Sequence, residues 1–151
     1  MDEASIMQYI TDTFDGVHPV DAWGDTFFFY NPGREQPDEV YFATLKSKDD
    51  DYDRFSDLNR PSVFRLNIDI TKATYHSLFG SPPSRHSADG SIDTSYDFTV
   101  LDQLLPHPVY GRMHWVCVLN PSDATFQAVQ PLLAEAYDLA VSKYAKRVAR
   151  R

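Results

Sequence analysis

The sequence predicts an α+β domain with two layers, a mainly antiparallel sheet of about five strands covered by helices. Three observations carry this. Apolar residues recur at helical spacing at both ends of the chain. Strict alternation of apolar and polar residues marks strands between them. The first strands follow one another with no helix between them, which favours an antiparallel meander over βαβ units. The 151 residues form one domain, 1–151, with no internal repeat and no linker that would divide it.

From the start, Ile6, Ile10 and Phe14 are four apart with Tyr9 beside them, one face of a short helix stopped by Gly16. Thr26 to Tyr30 holds the run Phe27-Phe28-Phe29 between Gly24 and Asn31-Pro32-Gly33, a β-prone stretch. Val40 to Lys46 is a second strand. Ser62 to Ile70 alternates most clearly, with Phe64, Leu66, Ile68 and Ile70 on one side and Val63, Arg65, Asn67 and Asp69 on the other. Thr71 caps a second helix that Gly80 ends. Residues 81–97 are rich in Ser, Pro, Asp and Gly and read as a flexible surface loop. Phe98 to Leu105 reads as a short helical turn. Arg112 to Leu119 is a further strand, with Met113, Trp115, Cys117 and Leu119 facing one way and Arg112, His114, Val116 and Val118 the other. Asn120-Pro121 reads as the cap and first residue of a long helix. Pro131 is expected to kink or split it, because proline lacks the N–H and clashes with the preceding turn.

Composition is globular, with 42% hydrophobic, 24% charged and 14% aromatic residues. The net charge of -8 is uneven. Residues 143–151 carry five cations and no acid, a basic helix end that complements the macrodipole. The rest is strongly acidic, which disfavours nucleic acid as a partner. No apolar run is long enough for a membrane span, and Met1-Asp2-Glu3 does not open a signal peptide, so a cytoplasmic location is expected. One cysteine, Cys117, excludes an internal disulfide, and its apolar strand makes it an inert core thiol.

Motifs for catalysis are absent. The run Asp49-Asp50-Asp51-Tyr52-Asp53 fails as a calcium loop, having Arg54 where the turn needs glycine and Arg60 where a bidentate glutamate belongs. It reads as a solvated acidic loop. The five histidines show no metal-ligand spacing, and no nucleophile elbow or glycine-rich phosphate loop occurs. No metal and no cofactor is expected. The candidate site is the polar side of the 62–70 strand. Arg65 and Asn67 project together there, and His114, Thr44 or Lys46 could join them from neighbouring strands. Such a set can hold a carboxylate or phosphate through charge-assisted hydrogen bonds. His107 and Tyr110, from the loop before the last strand, complete the candidate ligand-binding set of Arg65, Asn67, His107, Tyr110 and His114.

Several motifs together resemble a family of small bacterial proteins of unknown function, DUF family 6194. They are Ala22-Trp23-Gly24-Asp25-Thr26-Phe27-Phe28-Phe29-Tyr30, Phe42-Ala43-Thr44, Asn59-Arg60-Pro61 with Phe64-Arg65-Leu66-Asn67-Ile68, Leu104 to Tyr110, and Trp115 to Pro121. The resemblance brings no assigned activity. More distantly, Arg60-Pro61 through Asn67, His114-Trp115 and Tyr137-Asp138-Leu139 resemble the MmcQ/YjbR family. That likeness implies a YjbR-like α+β fold and, by fold analogy alone, nucleic-acid binding. Three functional readings follow. The first is a non-enzymatic binding or interaction module, as monomer or homodimer, for an unknown small molecule or protein. The second is an anionic-ligand pocket or enzyme around Arg65, His107 and His114. The third is a nucleic-acid module using the basic end.

Overall fold

The computed structural model describes residues 1–151. Its core is an open sheet of six antiparallel strands in the order β1-β2-β3-β4-β6-β5. These are β1 (Val17–Ala22), β2 (Asp25–Tyr30), β3 (Tyr41–Lys46), β4 (Arg65–Asp69), β5 (Leu104–Pro106) and β6 (Trp115–Leu119). Three helices accompany them: α1 (Glu3–Thr13), α2 (Lys72–Phe79) and α3 (Asp123–Ala149). The α+β class is as the sequence implies, with one more strand than expected. No helix is long and apolar enough to cross a membrane.

One face of the sheet carries the main core. Twenty buried residues pack there, among them Phe28, Ala43, Leu45, Leu66, Ile68, Val116 and Val118 from the strands, Ile6 and Ile10 from α1, and Phe126, Val129, Leu133, Ala136 and Ala140 from α3. Each helix is started by a side-chain cap. Asp2 accepts from the Ser5 amide at 2.8 Å, Thr71 from Thr74 at 3.2 Å and Ser122 from Thr125 at 3.2 Å. The cap of α3 is thus Ser122, not Asn120. Asn120 lies at φ 41° and uses its side chain to tie β6 back to the chain before β4, accepting from the Phe64 amide at 2.9 Å and donating to the Ser62 carbonyl at 3.0 Å.

The remaining differences from the sequence reading have physical causes. β1 was not expected, because Pro19 interrupts it. As an edge strand it tolerates a residue that cannot donate, and Pro19 pairs opposite Phe28. The Trp23-Gly24 turn, with φ 54° and 81°, closes the hairpin to β2 in two residues. Leu104–Pro106 forms an edge strand instead of a helical turn, because Leu105 fills a second cluster with Leu58, Val63, Cys117 and Leu119. β6 begins only at Trp115. The residues before it make a single 3-10 turn, and His114 leaves it at φ 69°. Pro131 does not split α3. Phe126 and Val129 before it and Leu133 and Ala136 after it are all buried in one core, so packing outweighs the lost hydrogen bond.

The long segment 81–97 is anchored at its tip. Ile92 is buried, its amide donates to the Pro108 carbonyl at 2.7 Å, and the His86 ring bonds the Val109 carbonyl at 2.9 Å. In the basic helix end, Arg147 and Arg151 both pair with Glu39.

Ile68 sits at the centre of the helix-covered face and is fully buried. Ile68→Ala is expected to cost about 2–5 kcal/mol in urea unfolding, the usual cost of a core cavity.

Candidate functional site

The second face of the sheet is set by register. Thr44 pairs opposite Asn67 and Lys46 opposite Arg65, while Asp25 and Phe27 lie opposite Lys46 and Thr44. On the other side Asn67 pairs opposite Cys117 and Asp69 opposite Trp115. A bulge between Phe28 and Phe29 inserts Phe42 into β3, so Phe42 enters the main core while Tyr41 turns to the second face. No helix covers this face. The connections 47–64 and 107–114 close over its ends and leave a cavity of about 410 Å³.

The floor is charged and buried. Arg65 is fully enclosed. Its Nε donates to Asn67 Oδ1 at 2.7 Å, and Nη1 donates to Ser56 Oγ at 2.8 Å and Asp53 Oδ1 at 3.1 Å. Nη2 donates to Asp53 Oδ2, which makes the pair bidentate. Four of the five guanidinium hydrogens therefore go to protein oxygens, and the last lies against His107 Nε2 at 3.2 Å. Burial opposes the charge on Arg65, but Asp53 outweighs it and raises the pKa, so the group stays a cation. Asn67 passes the network on, donating to Thr44 Oγ1 at 2.9 Å.

Lys46 is the second buried cation. Its Nζ lies 2.5 Å from Asp50 Oδ2 and 3.4 Å from Asp25 Oδ1. Burial works against its charge, and the hydrogen bond to Asp50 with the charges of Asp25, Asp50 and Asp53 reverses the balance, leaving its pKa raised. Burial pushes the Asp25 carboxyl up despite Lys46. Asp25 Oδ2 takes no protein hydrogen bond.

His107 is held by its other nitrogen. The Val109 and Tyr110 amides donate to Nδ1 at 3.1 and 2.9 Å. Those donors assign the ring proton to Nε2, which then meets Arg65 Nη2 donor to donor and has Asp53 Oδ2 at 3.8 Å, beyond hydrogen-bond distance. Burial, then Arg65 and Lys46, hold the His107 pKa well below its usual value, so the ring is neutral. Cys117 is buried, its thiol donates to the Pro106 carbonyl at 3.6 Å, and burial pushes its pKa up to about 12. It is no nucleophile at neutral pH.

The walls are aromatic. Neighbouring rings run from Trp23 to Phe27 (6.1 Å between centroids), Phe27 to Tyr41 (5.0 Å), Tyr41 to Trp115 (5.9 Å), Trp115 to His107 (6.4 Å) and His107 to Tyr110 (5.1 Å). Trp23 and Tyr52, both at the rim, are 88% and 85% exposed. These are unusual exposures for such large side chains.

Four of the five candidates from the sequence, Arg65, Asn67, His107 and Tyr110, line this one cavity. His114 does not. The turn before β6 sends its ring toward Tyr75 and His76, at 5.5 and 5.8 Å. Thr44 and Lys46 do join Arg65 and Asn67. The acidic run is solvated only in part, with Asp50 and Asp51 exposed. Asp53 is buried on Arg65, Asp50 accepts from the Tyr52 and Asp53 amides and from Lys46, and Asp49 accepts from the Leu58 amide. Asp53 is the residue that sequence reasoning missed. Part of the signal was present, since an arginine inside an apolar strand needs a buried carboxylate, but Asp69 and Asp57 lie nearer to it in sequence, so spacing does not single out Asp53.

Asp53→Ala would strand a buried guanidinium. The expected cost is about 3–5 kcal/mol in urea unfolding, with Asp53→Ala/Arg65→Met recovering most of it, and a small loss in the single variant would contradict the pairing. His107 also sets a pH dependence. Its folded pKa is depressed, so below the unfolded value of about 6.5 the unfolded chain binds a proton that the folded chain refuses. Stability should fall as pH drops below that point, by up to about 1.4 kcal/mol per pH unit. The curve for His107→Gln should be flatter over the same range, which urea midpoints at stepped pH would reveal.

No curated protein and no solved structure matches the chain, and the distant MmcQ/YjbR likeness is not shown. The profile of the family of unknown function DUF6194 matches residues 1–149, and the chain belongs to that family.

Proposed function

We propose that the protein is a non-enzymatic binding module that takes a small organic molecule on the second face of its sheet. One observation carries this reading: an aromatic-walled cavity of about 410 Å³ stands over a floor whose cations, Arg65 and Lys46, are already paired with carboxylates. That volume lies within the ~300–1,000 Å³ of ligand pockets, which are apolar with a few convergent polar groups. The cavity is concave and joins His107 to Arg65, which favours a small ligand over a flat protein partner. Its groups favour binding over catalysis. Lys46 stays an ammonium, His107 has Nδ1 occupied by two amides, and the Cys117 thiol is spent inside the sheet. One chain carries all of the lining residues, so a monomer suffices. The free thiol suits a reducing cytoplasm.

Both tryptophans, Trp23 and Trp115, line the cavity, so tryptophan emission excited selectively reports on it. A thermal-shift screen of metabolite-sized compounds is expected to yield a stabilising hit that also changes tryptophan emission. At a hundred times its Kd such a ligand adds about 2.7 kcal/mol. Stabilising compounds that all leave the emission unchanged would place binding elsewhere and refute this reading.

A further inference from the structure

We infer that the cavity selects an organic cation, a compact ammonium or amidinium group, seated against the aromatic wall above the floor. This rests on the ligand-binding reading and names the chemistry of the ligand. Three features of the same site lead to it.

The first is charge. The lining holds three carboxylates, Asp25, Asp50 and Asp53, against two cations, Lys46 and Arg65, with His107 neutral. The site carries one net negative charge inside a chain of net charge -8, and that field draws cations in. The second is the state of the two basic groups. Arg65 is bidentate on Asp53, and Lys46 lies between Asp25 and Asp50. Neither is free to receive an anion, whose binding would have to break a buried pair. The carboxylate that the sequence leads one to expect from a ligand is supplied by the chain itself. Asp25, in contrast, keeps one oxygen without a protein donor. An apolar ligand would bury that oxygen unpaired, whereas a cation would satisfy it.

The third is the wall. Trp23 and Phe27 meet at 81° and Phe27 and Tyr41 at 87°. Rings set at right angles present their faces from more than one side to a single volume, the arrangement by which aromatic cages hold ammonium groups. Trp23 and Tyr52 at the rim add two nearly free faces. Cation–π attraction strengthens as the cation is desolvated, which seating it against the inner rings Phe27, Tyr41 and Trp115 would bring about.

The test compares benzamidine, a cation at neutral pH, with benzamide, its neutral near-isostere, and with benzoate. Binding to the full chain is followed by calorimetry and tryptophan fluorescence at low salt. Benzamidine is expected to bind about tenfold or more tightly than benzamide, as one desolvated cation–π contact would give, and benzoate more weakly than either. Asp25→Asn should remove most of the preference for the cation and leave benzamide binding unchanged. Trp23→Ala, at an exposed turn position where folding is not at stake, should weaken benzamidine more than benzamide. Equal binding of benzamidine and benzamide would overturn the cation assignment and leave the cavity reading standing. Tighter binding of benzoate would overturn it in favour of an anion. Failure of benzamidine to bind at millimolar concentration would also overturn it, and the compound screen would then decide the cavity reading separately.

Discussion

The ion pair between Arg65 and Asp53 organises the half of the molecule that no helix covers. Arg65 sits on the central strand with no exposed surface, so its charge is tolerable only if a carboxylate is brought to it. Asp53 is brought by the connection between β3 and β4. That connection is shaped for the purpose: Asp50 accepts from the Asp53 amide, Asp49 holds the Leu58 amide, and Leu58 and Val63 pack on Leu105, Cys117 and Leu119. The pair therefore fastens a long loop across the sheet. In doing so it fixes one wall of the cavity and places His107 beside the guanidinium. Isolated from this setting a buried pair gives little net stability, but either partner without the other is costly. The constraint thus acts on geometry more than on total stability.

Under the proposed binding reading, the same interaction changes which ligand chemistry the site would suit. Read as a list of residue types, Arg65, Asn67 and His107 suggest an anion site. In place, four of the five guanidinium hydrogens are taken by protein oxygens, the imidazole is neutral with its proton on Nε2, and Lys46 is held by two carboxylates. What is left for a ligand is the aromatic wall and the unmatched negative charge. A floor that is bonded before the ligand arrives needs little rearrangement on binding, which is how preorganisation contributes to affinity.

Much of this was legible in the sequence, and the limits are instructive. Alternation in 62–70 assigned Leu66 and Ile68 to one face and Arg65 and Asn67 to the other correctly, because side-chain period fixes the face of a strand. Helical spacing identified α1 and α3, and the Thr71 cap with the Gly80 stop identified α2. Helix-ending and capping details were less secure: Asn120-Pro121 has the composition of a cap, yet Ser122 serves, because Asn120 is taken up by Phe64 and Ser62 across the sheet. β5 was hidden because three residues carry no period, and their strand form depends on a partner and on the pocket for Leu105. His114 was misplaced because the alternation itself groups it with Val116 and Val118, which face the main core, away from the side of Arg65 and Asn67. The role of Asp53 was hidden because charge runs are ordinarily solvated. Only the tertiary position of Arg65 makes this one an exception.

The central claim is that Arg65 is locked by Asp53 as a permanent part of the floor. The most direct measurement is nitrogen-15 NMR of the arginine guanidinium groups at neutral pH. Arg65 Nη hydrogens are expected to be individually observable, slow to exchange with water and lost as a set in Asp53→Asn. Fast rotation and exchange of those hydrogens, as in a solvated arginine, would contradict it.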